Sequence, residues 1–135
     1  MADSLKLEIV TPEAVVYSED VETVTLPGTE GEMGIYPNHV PLMTKVKAGE
    51  LIARRSGKDE PLVVGEGFAE VTGNHIAILT ENAINSRDID EAAVTEARAK
   101  AEKRLEEGDV SEDEAKVLNS ALLYMEAQMK VKRRR

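Results

Sequence analysis

The chain reads as an all-β N-terminal domain, a sandwich or flattened barrel, followed by an antiparallel two-helix hairpin. Three observations predict this. Residues 5–84 hold short runs of alternating apolar and polar residues, broken by Gly, Pro, Asn and Asp. Residues 89–105 then lack Gly and Pro and carry alanine at 92, 93, 97, 99 and 101. Past a Glu107-Gly108-Asp109 break, Ala115, Leu118, Leu122, Met125 and Met129 recur at spacings of three and four. The change of period places the domain boundary at 87/88.

The strands follow in order. Leu5-Lys6-Leu7-Glu8-Ile9-Val10 alternates with period two until Thr11-Pro12 stops it. Residues 21–26, VETVTL, alternate again, with Pro27-Gly28 as the break. Residues 31–42, GEMGIYPNHVPL, pack two glycines, two prolines and a histidine into twelve positions. They are expected to form a loop of specified shape, because Gly and Pro restrict the usable backbone conformations. The segment has no nucleophile and no metal or phosphate spacing, so it reads as a surface for contact. Residues 51–55 run into a turn cluster at 56–60, and a strand at 61–64 follows. Gly65-Glu66-Gly67 continues into a strand and not a helix, which marks a bulge or a close backbone approach. Residues 68–71 and 76–80 complete the series around a turn at 72–75. With one Phe and no Trp, the core must be aliphatic.

In the hairpin, Asp88 or Ser86 is placed to cap the first helix, and Asp90 and Glu91 suit the positive end of its dipole. Gly108 fits a left-handed C-terminal position, and Ser111-Glu112-Asp113-Glu114 matches the S-x-x-E capping box. The seam of the second helix faces a stripe of Ile89, Ala93, Ala97, Ala101 and Leu105. At about 25 cal/mol per Å² of apolar surface, a stripe of alanines stabilises far less than one of leucines. Two states therefore stay open, a hairpin permanently packed and one that detaches, extends or docks elsewhere.

Composition removes several function classes. There is no cysteine, hence no disulfide framework and no thiolate metal site. The first six residues lack the basic start and apolar core of a signal peptide. No apolar run approaches the roughly 18 residues needed to span a bilayer, so a membrane link is expected only through a partner. The net charge is −9; residues 1–87 carry 14 acidic and 7 basic side chains, residues 88–135 carry 12 and 10. Such a body should repel nucleic acid, while the basic run at 130–135 could meet an acidic surface. His39 and His75 are the only histidines, and each reads as a hydrogen-bonded loop or surface residue. Glu30 and Glu32 read as solvated surface. No nucleophile elbow, phosphate loop or metal spacing is present, so no catalytic or metal-binding residue and no cofactor is expected.

These segments together resemble the epsilon subunit of F-type ATP synthases along the whole chain. Residues 31–42 look like that family's G-E-(L/M)-G-I-x-P-x-H-x-P-L signature. Residues 65–71, GEGFAEV, look like its G-G-F-x-E-V strand, with Glu66 where a second glycine is usual. Residues 88–92, DIDEA, resemble the start of its first C-terminal helix. The resemblance implies a sandwich of about ten strands and a non-catalytic rotor subunit of the central stalk. Residues 1–87 would bind the gamma subunit and the c ring, with Glu30, Gly31, Glu32 and His39 as contacts. Residues 88–135 would form an inhibitory arm toward the alpha/beta hexamer. Its basic residues Arg98, Lys100, Lys103, Arg104, Lys116, Lys130, Lys132 and Arg133 would meet an acidic segment of the beta subunit. The implied location is the cytoplasmic face of a bacterial plasma membrane, held through the complex, with the stromal face of a thylakoid as the alternative. One departure concerns nucleotide. Some members bind ATP through (I/L)-D-x-x-R-A, and this chain has Ala93 in place of the arginine. No ATP sensing is therefore expected. The competing reading is a free-standing β-sandwich adaptor with a helical partner-binding arm.

Overall fold

The computed structural model describes residues 4–134. Among these, ten strands form one sheet: β1 (Leu5–Val10), β2 (Val15–Val21), β3 (Thr23–Gly28), β4 (Gly31–Ile35), β5 (His39–Val46), β6 (Gly49–Arg55), β7 (Lys58–Val64), β8 (Gly67–Gly73), β9 (His75–Thr80) and β10 (Ala83–Asn85). Their order is β10-β7-β6-β3-β5-β8-β9-β1-β2, with β4 paired to β3. The β1–β9 pair is parallel and the others are antiparallel.

The sheet curls into a flattened barrel. β3 meets β5 at one residue pair, Gly28 with Val46, where the path turns from one layer to the other. At the far ends Tyr17 Oη on β2 donates to Glu60 Oε1 on β7 at 2.6 Å, and Arg55 on β6 pairs with Glu19 on β2 at 3.0 Å. Alternation decides which side faces inward. Leu5, Leu7 and Ile9 meet Val24, Leu26, Leu51, Leu62, Val64, Val71, Ile76 and Ile78 in one cluster, aliphatic except for Tyr17.

The strands are longer and more numerous than the turn signals suggest. β2 is an addition: its VVYSEDV run leaves Val15 and Val16 exposed and so lacks an apolar–polar alternation. Pro27-Gly28 ends inside β3 and does not break it. The turn cluster shrinks to Ser56-Gly57, both at positive φ (54° and 74°), which suits a two-residue hairpin. Pro61 is tolerated within β7 because β10 covers only Leu62–Val64 on that side. Residues 31–42 are not one loop. They form β4, a short turn at Tyr36, Pro37 and Asn38, and the start of β5, with Pro41 at a register irregularity between His39 and Leu42.

A 3-10 turn (Ser86–Asp88) leads into helices α1 (Glu91–Glu106) and α2 (Glu112–Arg133). The cap of α1 is Asp90, which accepts from Ala93 N at 3.2 Å, and neither Asp88 nor Ser86. Residues 86–88 are spent on their own turn, with Asn85 as its cap, so the α-helix starts later. Ser111 caps α2 from Glu114 N at 3.1 Å. The reciprocal half of the box is missing because the Glu114 carboxylate turns to Arg104. Gly108 adopts φ 74° in the connection.

The α1 stripe is also corrected: Val94 is buried and Ala93 is exposed. Spacings of three and four both keep one face, and the larger Val94 gains more from burial. α2, and not α1, makes the main contact with the sheet, lying on β6 and β7. Val63 is the hinge of this packing. Its neighbours Leu62 and Val64 point into the barrel, while Val63 points out and is covered by Ile89, Val94, Met129 and Val131. Tyr124 packs against the same cluster, and burial pushes its phenol up to about 12.

Candidate partner-docking surface

Strand parity sets one end of the sandwich apart. Inward-facing Ala69, Ile78 and Ile9 force their neighbours Phe68, Leu79 and Val10 outward. Cross-strand register then lines these up: Lys45 opposite Phe68, Phe68 opposite Leu79, Leu79 opposite Val10, Val10 opposite Val15. The result is an apolar row across four strands, flanked by Lys45 on β5, in which Phe68, Leu79 and Val15 are each more than half exposed. Met43, one outward position along β5, is 67% exposed and widens the row. Isolated exposed apolar side chains are ordinary, but a contiguous row marks an interaction surface.

Val10, Leu79 and Phe68 of this row floor an open groove of about 790 Å³ whose walls include Pro12, Thr29, Lys45, Lys47, Glu66 and Glu81. Gly67 shapes it. A Cβ there would lie 1.9 Å from Leu79 O and 2.8 Å from Thr80 Cα, so only glycine lets β8 approach β9 this closely. The close backbone approach expected of the Gly65-Glu66-Gly67 segment is thus present.

Thr29 connects the groove to the β3–β4 turn. Gly28 and Gly31 face each other across it, Gly31 has φ 121°, and Glu30 and Glu32 are exposed beside it. His39 does not belong to this cluster. It starts β5, beyond the opposite end of β4, and a five-residue strand at about 3.3 Å per residue keeps the two ends roughly 13 Å apart or more. Its Nδ1 lies 2.7 Å from Val40 O. The turn near it is held by Asn74, whose Oδ1 accepts from Asn38 N at 2.6 Å, with Asn38 at φ 65°. His75 is a surface residue paired with Glu8 Oε1 at 2.6 Å.

The basic residues of the hairpin divide into two groups. Arg98 pairs with Glu102 at 3.8 Å and Lys100 with Glu96 at 3.5 Å, each within α1. Arg104 reaches both Glu114 oxygens at 3.0 Å and the Asp109 carbonyl at 3.1 Å, closing the turn end of the hairpin. Glu114, and more weakly Glu107, hold its guanidinium pKa above the usual value. Arg133 pairs with Glu91 at 3.3 Å. Among the described residues, Lys103, Lys116, Lys130 and Lys132 form no ion pair, so their charge faces outward. Lys130 also lines a crevice of about 280 Å³ with Gly31, Glu32, Glu50 and Val131, which brings the end of α2 beside the acidic turn. Ala93 is exposed at the start of α1, so no cation stands at that position.

The apolar row was not read from the sequence as a site. Its signal was available: Val10, Phe68 and Leu79 are apolar residues at the outward parity of otherwise alternating strands. Among the described residues no group of three or more His, Asp or Glu side chains is arranged to hold a metal ion. No helix among the described residues is long and apolar enough to cross a membrane.

The sequence model for the ATP synthase delta/epsilon chain, beta-sandwich domain, matches residues 4–86. An ATP synthase epsilon chain of Nitratidesulfovibrio vulgaris (strain DP4) is 39% identical over 132 residues, 98% of each chain. That of Desulfosudis oleivorans is 45% identical over 109 residues, covering 80% of this chain and 82% of its own. Among solved structures, a chain of the Euglena gracilis mitochondrial ATP synthase (OSCP/F1/c-ring) superposes with a TM-score of 0.74 at 23% identity, covering 96% of this chain and 82% of that one. A chain of the Tetrahymena thermophila mitochondrial ATP synthase, central stalk and c-ring, gives 0.62 at 12% identity, covering 97% and 98%. At these identities the structural matches establish the fold.

Proposed function

The chain belongs to the family of ATP synthase epsilon chains, non-catalytic subunits of that complex, and on this premise we propose that it joins the gamma subunit to the c ring within the central stalk. The observation that carries the reading is the apolar row of Val15, Val10, Leu79 and Phe68. A rotor subunit must hold its shaft partner through a permanent contact, and permanent contacts are apolar at their centre. The row and its groove are therefore assigned to gamma. The adjoining turn of Glu30, Gly31 and Glu32 is assigned to basic polar loops of the c ring, its geometry set by Gly28 facing Gly31. His39, at the far end of β4, is assigned to a separate contact along the same flank. The hairpin is the arm that restrains ATP hydrolysis by extending toward the acidic segment of the beta subunit, led by Lys103, Lys116, Lys130 and Lys132. Attachment to a membrane is through the assembled complex, at the cytoplasmic face of a bacterial plasma membrane.

Assembly with the remaining subunits tests this. The Phe68→Asp/Leu79→Asp variant, which leaves the inward-facing core intact, should lose gamma in co-purification. Each apolar side chain removed from such a contact is worth about 1.5–3 kcal/mol, so affinity should fall by more than tenfold. Retention of gamma at wild-type yield would overturn the assignment of the row.

A further inference from the structure

Two adjacent arginines at the end of α2 point in different directions. Arg133 Nε donates to Glu91 Oε1 at 3.3 Å, on the first residue of α1. Arg134 Nη1 donates to Glu50 Oε1 at 2.9 Å, and its Nη2 meets Glu50 Oε2, a two-pronged pair with the sandwich. The Glu50 side chain is only 21% exposed, less than the carboxylate of any other ion pair of the hairpin among the described residues. Glu50 draws the Arg134 pKa upward, as a carboxylate in direct contact must. The next turn inward carries Met129 and Val131, buried against Val63. One end of one helix thus ties α1, α2 and the barrel together.

We propose that Glu50 and Glu91 form an ionic clasp that holds the hairpin folded, and that clasp formation and docking of the C-terminal basic run on an acidic partner surface exclude each other. The regulatory half rests on the reading of the hairpin as a mobile inhibitory arm; the clasp itself does not. The exclusion is a matter of charge. A guanidinium that donates through both Nη atoms to a barrel carboxylate is held on the barrel with its charge compensated, and it must leave Glu50 to pair as strongly with a partner carboxylate. Lys103, Lys116, Lys130 and Lys132 remain available in the folded state, so an approaching carboxylate-rich surface can be met first by lysines. It then competes with Glu50 and Glu91 for the arginines. Because exposed ion pairs are screened, the folded state should weaken with salt although its apolar contacts do not.

Amide hydrogen exchange on the full chain measures this directly. In the wild type, exchange across residues 118–131 should accelerate about five- to tenfold between about 0.05 M and about 1 M NaCl, while β1, β8 and β9 stay protected. Glu50→Gln/Glu91→Gln should exchange that much faster at low salt and respond little to salt. The reversed pair Glu50→Arg/Arg134→Glu should restore protection. Unchanged exchange in the double variant, or no rescue by reversal, overturns the clasp. In the assembled complex, Glu50→Gln/Glu91→Gln should lower ATP hydrolysis several-fold, and deletion of 88–135 should raise it. If deletion leaves hydrolysis unchanged while the exchange results hold, the inhibitory reading fails and the clasp stands.

Discussion

Gly67 and Val63 show how much one position decides. At Gly67 the obstacle to a side chain is backbone, Leu79 O and Thr80 Cα, which cannot step aside as a rotamer would. Gly67→Ala should therefore destabilise the barrel by about 2 kcal/mol or more, with the loss read from urea unfolding followed by far-UV circular dichroism. A change below about 0.5 kcal/mol would mean that β8 and β9 separate without cost. The glycine pair around Glu66 was legible in the sequence as a close approach, since glycines flanking a strand have few other uses. Val63 was not legible in this sense. It sits in a Leu-Val-Val run, where a buried residue facing the core and one facing a docked helix look the same.

Between elements, α2 matters more than the symmetry of a two-helix hairpin suggests. Its C-terminal half lies on β6 and β7, whereas α1 packs on α2 and buries Val94 and Ala101. Met129→Ala removes a large side chain from the junction of all three and should cost about 2–4 kcal/mol. Because the barrel core is a separate cluster, that loss should appear as faster amide exchange within α1 and α2, with the strands unaffected. Equal loss of protection in the strands would show that the two clusters unfold as one. Helix positions were legible from period, Gly108 and the Ser111 cap. The start of α1 and its buried stripe were not, because the 3-10 turn and the side on which α2 lies are tertiary outcomes.

For the molecule as a whole, two tyrosines with raised pKa values lie in different places. Tyr17 closes the barrel seam, raised by its burial and by its bond to Glu60; Tyr124 lies under the hairpin, raised by burial alone to about 12. In both, the neutral phenol is the form the fold accepts. An unfolded tyrosine ionises near pH 10, so this stabilisation is complete below that pH and is lost as pH rises toward each folded value. The hairpin should thus loosen between about pH 10 and 12, ahead of the barrel, with Tyr124→Phe abolishing that phase in tyrosinate absorbance and helical dichroism. A single transition unaffected by Tyr124→Phe would contradict it.

What the sequence determined by itself was the division into a β half and an α half, the aliphatic core and the family, because alternation, helical period and short motifs are local properties. The tertiary structure alone decided that residues 31–42 are two strands with Glu30, Gly31 and Glu32 at one end and His39 at the other. It also decided that Val15, Val10, Leu79 and Phe68 form one row. Both depend on which strands become neighbours and in what register, and pairing across distant segments has no signature within either one.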